Sequence, residues 1–218
     1  MTQPREYPAT TRTTALRGRD RMTYDAPTVH AILDEAYHCA LGFVVDGAPR
    51  VLPTLHVRID DTLYVHASTG SRPVLAAQDG VAVCVTVTIL DGLVLGRSQF
   101  HHSANYRSVV AHGIARPVTD GSEKRRVLTA LVDKVAPGRA ADSRPPNDKE
   151  LAQTAVLALP LREVSAKLRT GGVLDEPEDY ALPHWAGVVP LRLVAGSPEP
   201  DAGVGVGVPE YLRQPLSP

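Results

Sequence analysis

The sequence predicts a mainly β protein, a small antiparallel barrel with helical appendages. Six or so strand-like segments follow one another in hairpin order, and the helical patterns between them do not alternate strictly with strands. No GxGxxG pattern follows a predicted strand and no P-loop pattern is present, so two common nucleotide-binding fingerprints are missing. A ligand of this barrel must therefore be bound by other means.

Composition and charge are those of an ordinary globular chain. The 218 residues are 43% hydrophobic and 22% charged, which allows one well-filled core with appendages. Lys and Arg number 23 against 24 Asp and Glu, so no overall field attracts nucleic acid or a membrane, and we expect a small-molecule partner. Cys39 and Cys84 lack the spacing of a disulfide framework or zinc site. Without a signal-like or membrane-spanning apolar run, we expect a cytoplasmic location.

The first part of the chain is predicted to be a surface arm, a helix and a three-stranded meander. Residues 1–24 are rich in Thr and Arg without periodicity, which is typical of an arm; an arginine-rich leader also resembles a transit peptide, but acidic residues interrupt it. Asp25 and Pro27 mark a helix start, followed by Val29, Ile32, Leu33 and Ala36 at helical spacing. The predicted strands are Cys39–Val45, Val51–Ile59 and Leu63–Ala67, with a hairpin at Asp46-Gly47.

The middle of the chain is predicted to hold one short helix and two long strands. A helix over residues 72–78 requires Pro73 in its first turn. The segment Val81–Leu90 is apolar or β-branched at nearly every position, which predicts a strand buried on both faces and ended by Asp91-Gly92. A further strand is predicted over Tyr106–Val118.

The remaining chain is predicted to continue with an amphipathic helix and a last strand. The helix begins at Asp120 or Ser122 and runs to about Val135, with an apolar stripe opposite a charged face. After a linker at 137–146 and a helical turn at 149–153, residues 155–169 predict one long strand with Pro160 at an edge or bulge. We expect three parts: an arm at 1–24, a barrel domain at 25–195 and a Pro/Gly-rich tail at 196–218.

One loop carries most of the functional signal. The predicted strand that contains His66 and ends at Ala67 runs into Ser68, Thr69, Gly70, Ser71 and Arg72. Three hydroxyls, a glycine that admits close backbone approach and one guanidinium make a cradle for a phosphate dianion. The same residues also suit an ordinary surface turn, so this loop alone leaves both interpretations open.

The chain resembles the pyridoxamine 5'-phosphate oxidase-like, FMN-binding split-barrel family, in the branch of the nitroimidazole-resistance reductases. The resemblance covers roughly residues 22–195 in the right order. The segments that carry it are Ile32–Ala36, Leu63–Ser68 running into Gly70–Arg72, Val83–Thr88, Phe100–Ser103, Asn105–Val110 and Trp185–Leu191.

The resemblance implies a homodimer of split barrels with an FMN at each of two sites between the subunits. Ser71 and Arg72 match the family's phosphate-binding pair, with His66, Ser68 and Thr69 on the same segment. By the same resemblance, the strand Leu52-Pro53-Thr54 lies along the flavin ring, and the strand of Arg107 and Ser108 reaches the flavin from the other side.

The sequence departs from the family pattern at several positions. Pro73 stands where many relatives have a basic residue, which removes one phosphate contact. Ala40 follows Cys39 where this branch often has histidine, and Ala104 replaces a methionine. His56 and His112 occupy positions where aromatic residues are expected.

These features predict an FMN-dependent oxidoreductase that acts on a small organic molecule with a nicotinamide as electron donor. A flavin would supply the redox chemistry itself, so no catalytic residue is assigned. A flavin- or haem-binding carrier or sensor without turnover, or a deazaflavin-dependent reductase, are the alternatives. A metal or haem site using His101 and His102 with His66 or His112 is disfavoured, because adjacent strand residues point to opposite faces.

Overall fold

The protein, described by a computed structural model over residues 5–73 and 79–213, folds around one antiparallel sheet. Within that part of the chain the sheet has nine strands in the order β1-β8-β6-β7-β4-β3-β2-β5-β9, and an additional pairing of β6 with β5 closes it into a barrel. The predicted mainly β split-barrel fold is confirmed. The strands are β1 Met22–Thr23, β2 His38–Val45, β3 Ala48–Ile59, β4 Thr62–Ser68, β5 Val81–Leu95, β6 Ser103–Pro117, β7 Thr154–Pro160, β8 Glu163–Arg169 and β9 Gly187–Pro190.

Three α-helices occur in the described residues: α1 Ala26–Glu35, α2 Gly121–Val135 and α3 Asp148–Gln153. The predicted cap of α1 is confirmed, because the Asp25 carboxylate accepts a hydrogen bond from the Thr28 amide at 2.9 Å. Asp120 caps α2 in the same way, through the Glu123 amide at 2.7 Å. None of these helices combines the length and the apolar run that crossing a membrane requires.

The segment before α1 packs on the barrel through a few contacts. Glu6 forms an isolated bridge with Asp25, and the buried Tyr7 donates a hydrogen bond to Asp61 at 3.0 Å. The two-residue strand β1 pairs with β8 at the edge of the sheet. This part of the chain therefore contributes to the sheet as well as to the surface.

The predicted meander of β2, β3 and β4 is confirmed. Asp46 and Gly47 adopt positive φ angles of 52° and 75°, as the tight turn between β2 and β3 requires. The long strand β3 changes partner along its length: residues 48–55 pair with β2, whereas residues 56–59 pair with β4.

Two predictions about β5 are wrong. The strand does not stop at Asp91-Gly92 but continues to Leu95, with a register irregularity there, because β6 and β9 pair with its second half. It is also not buried on both faces: Val83 and Val85 are buried, whereas Ala82 and Thr88 are exposed. Only one face of this antiparallel strand points into the barrel, so β-branched residues on the other face reflect strand propensity rather than burial.

The prediction of a single strand over residues 155–169 is also wrong, since the chain forms β7 and β8 with a turn between them. Pro160 ends the first ladder, and the amide of Leu161 donates to the Asp61 carbonyl at 2.8 Å instead of extending the strand. The reversal lets β7 pair with β4 and β8 pair with β6. Most of the helix predicted over residues 72–78 lies outside the described residues.

Two hydrophobic clusters organise the interior. The larger one fills the barrel and includes the inward residues of α1 and β5. The smaller one joins α2 to the outer face of the sheet through Val57, Tyr64, Val127, Leu131 and Val156. The apolar stripe of α2 is wider than this cluster, because Val132 and Val135 remain 39% and 43% exposed.

Candidate functional site

The site is built where β3 and β4 separate. Their pairing ends with His56 opposite Val65, after which β3 turns away to pair with β2. Leu55 and His66 are the first residues beyond this last pair, on opposite sides of the gap. The gap brings the predicted ring-binding strand and the predicted phosphate loop to the same end of the sheet.

A groove of about 540 Å³ opens at this gap, on the side of β4 that faces α2. Its walls are largely aliphatic, and its charged side chains are two arginines and one acid of the segment between α2 and β7. The other polar groups on its walls are the imidazole of His66 and the hydroxyls of Thr129, Ser143 and Thr154. The lining residues include Leu55, His66, Leu128, Leu131, Val132, Val135, Arg139, Arg144, Glu150 and Thr154.

His66 faces the groove because of its position in β4. Leu63 and Val65 point into the barrel core, so Tyr64 and His66 point to the other face, toward α2. Tyr64 donates a hydrogen bond to Glu123 on α2 at 2.7 Å. His66 Nδ1 is buried without a hydrogen-bond partner among the described residues, and Nε2 has none there either.

The loop after β4 is a tight turn fastened to α3. The Ser71 amide donates to the Ser68 carbonyl at 2.9 Å, and the Thr69 amide donates to the Gln153 carbonyl at 3.0 Å. A Cβ added at Gly70 would meet no other atom within 4 Å, so the space beside the turn is open. The hydroxyl of Ser68 accepts only a long contact, 3.4 Å, from the Gly70 amide.

Ser71 and Arg72 have the donors that a phosphate needs. The Ser71 Oγ atom is buried without a hydrogen-bond partner in the described part of the chain, which is costly unless a ligand satisfies it. The exposed guanidinium of Arg72 forms no ion pair with any of those residues. The loop therefore fits the phosphate of a flavin nucleotide.

The strand segment Leu52-Pro53-Thr54 lies across the gap from this loop. Leu52 is 43% exposed and Pro53 is also exposed, although both belong to a paired strand. Residues 48–55 pair with β2 along one edge and with no described strand along the other. Apolar side chains beside an open edge suit a flat ligand or a second subunit.

Arg107 and Ser108 lie on β6, and their side chains are held by neighbours. The Arg107 guanidinium donates to both oxygens of Asp91, at 2.9 and 2.7 Å, and also to Glu35. The hydrogen bonds to Asp91 first, and then those to Glu35, raise the pKa of Arg107. Ser108 donates to the Lys167 carbonyl at 3.2 Å. No hydrogen bond or ion pair of the described chain joins these two residues to the Ser68–Arg72 loop.

Two of the histidines outside the groove, His101 and His102, have local partners. His102 Nδ1 lies 3.1 Å from the Ser98 carbonyl, and His101 lies 3.8 Å from Glu176. His112 is opposite Cys84 in the β5–β6 ladder. Across residues 5–73 and 79–213, no group of three or more His, Cys, Asp or Glu side chains could hold a metal ion.

Sequence reasoning missed the groove and its arginines. Arg139 donates to the Tyr211 hydroxyl at 3.2 Å, and that hydroxyl donates to Asp142 at 2.7 Å, so the tail returns to the rim of the groove. Arg144 binds the Glu150 carboxylate, at 2.7 and 3.2 Å. The one sequence feature that pointed to the groove was the apolar stripe of α2. This stripe contains more apolar residues than the contact of α2 with the sheet buries.

Comparison with known proteins gives a consistent picture. The profile described as pyridoxamine 5'-phosphate oxidase matches residues 25–168. The flavocytochrome Anf3 of Azotobacter vinelandii is 39% identical, over 94% of this chain and 96% of its own, with a TM-score of 0.88. The FAD and haem binding protein of Mycobacterium smegmatis is 37% identical, over 88% and 96% of the two chains, with a TM-score of 0.84.

A more distant structure shares the fold alone. A candidate 5-nitroimidazole antibiotic resistance protein from Bacteroides thetaiotaomicron is 22% identical over 67% of this chain and 85% of its own, with a TM-score of 0.57. Curated proteins offer no match. The profile match and the two similar structures show that the chain belongs to the pyridoxamine 5'-phosphate oxidase family of flavin-binding split-barrel proteins.

Proposed function

We propose that this protein is a flavin-dependent redox protein that also binds haem. The observation that carries the proposal is the similarity to two proteins that are named for a flavin and a haem together, each at least 37% identical over at least 88% of this chain. The Ser71 hydroxyl and the Arg72 guanidinium, neither of which has a partner among the described residues, support a flavin phosphate on the loop of this chain.

In this proposal the flavin spans the gap between β3 and β4. Ser68, Thr69, Ser71 and Arg72 hold its phosphate, and the segment 52–54 lies along its ring. When bound, the flavin supplies the redox chemistry, while the protein orients it and limits access of water. FMN is the flavin that we propose, and FAD, which is named for the Mycobacterium smegmatis protein, is the alternative.

The proposal includes a homodimer, and the exposed apolar segment 48–55 supports it, because its open edge would be covered by a second subunit. The strand of Arg107 and Ser108 would then approach the flavin of the other subunit. A cytoplasmic location and the division into an arm at 1–24, a barrel at 25–195 and a tail at 196–218 are parts of the same proposal.

We further propose turnover as an oxidoreductase on a small organic molecule, with a nicotinamide as electron donor. The second candidate is a carrier or sensor without turnover. The two similar proteins favour this second candidate, since they are named for the cofactors that they contain and not for a substrate.

An absorption spectrum of the protein as purified, followed by titration with FMN, FAD and haemin, tests the cofactors. A flavin band and a Soret band are expected, and a deazaflavin would give a different absorption maximum. Colourless protein that none of the three ligands stabilises would contradict the proposal. Anaerobic mixing with NADH or NADPH separates the two candidates, because rapid bleaching of the flavin band requires an enzyme-like electron input.

A further inference from the structure

We infer that the groove between α2 and β4 is the haem site and that His66 supplies the iron ligand. This inference rests on the proposed function, because it takes haem as a cofactor of the protein. It adds the place, the ligand and the groups that would hold the propionates, which neither the family resemblance nor the comparisons assign.

The state of the His66 imidazole supports this assignment. A neutral imidazole has one N–H donor and one lone pair, and neither nitrogen of His66 forms a hydrogen bond with the described residues. An imidazole with an uncommitted lone pair is the commonest metal ligand in proteins. Its place on the groove wall puts that ligand inside a cavity instead of on the open surface.

His66 is the one histidine among the described residues that line the groove. Within the described chain no group of three or more His, Cys, Asp or Glu side chains could hold a bare metal ion. Haem iron already carries the nitrogens of the porphyrin and needs only axial ligands from the protein. A single imidazole on a largely aliphatic wall therefore suits haem better than a free metal ion.

The groove wall opposite β4 also supports a haem, because it is apolar and partly exposed. Leu128, Leu131, Val132 and Val135 of α2 line the groove, and Leu55 closes it from the side of β3. Val132 and Val135 are about two-fifths exposed in this chain. Covering such surface with an apolar ligand is favourable, because it removes apolar side chains from water. The groove volume, about 540 Å³, lies within the roughly 300–1,000 Å³ that is usual for cofactor pockets.

The positive charges at the rim of the groove also support a haem. Arg139 and Arg144 both line the groove, and guanidinium groups bind carboxylates well. Each already has an acidic neighbour: Asp142 lies 3.5 Å from Arg139, and Glu150 lies 2.7 Å from Arg144. Both arginines are roughly half exposed or more, so they can turn toward the two propionates of a haem.

The flavin loop does not compete for the same walls. Ser71 and Arg72 do not line the groove, and the guanidinium groups that do, those of Arg139 and Arg144, belong to the segment between α2 and α3. Two ligands can therefore be held side by side, with the flavin on the loop side of the β3–β4 gap and the haem on the α2 side.

The test compares haemin binding to full-length His66→Ala, His102→Ala and wild-type protein, with FMN binding and thermal unfolding measured on the same samples. In His66→Ala we expect the Kd for haemin to rise more than about tenfold. The imidazole-ligated Soret spectrum should disappear and return when free imidazole is added. His102→Ala, which removes an exposed histidine that sequence reasoning also considered, should match wild type in the binding of both haemin and FMN.

The outcomes separate this inference from the proposed function. An unchanged Soret spectrum in His66→Ala, or the same loss in His102→Ala, would overturn the assignment while leaving haem binding intact. Loss of FMN binding in His66→Ala with haemin retained would assign the groove to the flavin and also overturn it. Wild-type protein that binds no haemin would contradict the proposed function itself.

Discussion

Nε2 of His56 on β3 lies 3.1 Å from Nζ of Lys134 on α2. Both atoms also lie against the carbonyl oxygen of Leu33, at 2.9 and 2.8 Å. That carbonyl belongs to the last turn of α1, where carbonyls lack a helical partner. Burial first, and the charge of Lys134 second, lower the pKa of His56 to about 4, and burial lowers the pKa of Lys134 to about 8.

The His56 site predicts a loss of stability in acid. The unfolded chain takes up a proton near the ordinary pKa of 6.5, before the folded protein does, so the free energy of unfolding falls as pH drops from 6.5 to about 4. The full effect is about 3 kcal/mol. In His56→Gln this part of the fall should vanish, as urea unfolding at several pH values would measure. The exposed His184→Gln is the control, and parallel pH curves for His56→Gln and wild type would contradict the assignment.

The phosphate loop predicts that Arg72→Ala weakens flavin binding. The loss of one charge-assisted contact costs on the order of 2 kcal/mol, or about 30-fold in Kd. Fluorescence quenching of FMN measures the affinity directly. Arg19→Ala removes an exposed arginine just before the edge strand β1, outside the Ser68–Arg72 loop, and should leave the Kd unchanged. Equal affinity in Arg72→Ala and wild type would show that the loop has been misassigned.

We expect the substitution Ser71→Ala to affect protein stability and flavin binding in opposite directions. Its buried hydroxyl has no partner in the described chain, so Ser71→Ala should leave the free energy of unfolding of the flavin-free protein unchanged or slightly higher. Flavin affinity should fall by about 1 kcal/mol, or about fivefold. Ser197→Ala in the exposed tail should change neither quantity. A destabilised flavin-free Ser71→Ala protein would mean that the hydroxyl already has a structural role.

We expect the substitution Arg107→Gln to lower the stability of the protein even without flavin. Its guanidinium lies between Asp91 and Glu35, so Arg107→Gln leaves two carboxylates without their shared cation. Because these groups are partly exposed, we expect a loss of about 1–2 kcal/mol in flavin-free protein. Urea unfolding of Arg107→Gln, Glu35→Gln and the double variant measures the coupling. Additive losses would show that Arg107 and Glu35 do not act as a pair.

The contact between Tyr211 and Arg139 predicts that the tail affects haemin binding in the groove. Its hydroxyl holds Arg139 at the rim, so Tyr211→Phe frees that guanidinium and should weaken haemin binding about threefold without moving the Soret band. Tyr180→Phe, in another exposed segment, is the matched control. A shifted Soret band in Tyr211→Phe would instead indicate that the tail acts on the iron ligand.

Local chemistry made much of the fold predictable from the sequence. Asp25 and Asp120 cap helices through their own neighbours, and the Asp46-Gly47 turn needs only two residues that tolerate positive φ. The hypothesis of a phosphate site at Ser68–Arg72 rests on the same kind of signal, since the hydroxyls and the arginine lie close together in the sequence. Such signals depend on contacts within a few residues, which a sequence displays directly.

Only the tertiary structure decided where strands end and where the groove lies. β5 passes Asp91-Gly92 because β6 and β9 pair with it there, and the chain reverses after Pro160 because β4 and β6 offer two separate partners. The groove joins β3, β4, α2 and the segment around Arg139, which are far apart in sequence. Partner strands and long-range packing set these features, and no local pattern of residues encodes a partner that the chain meets only after folding.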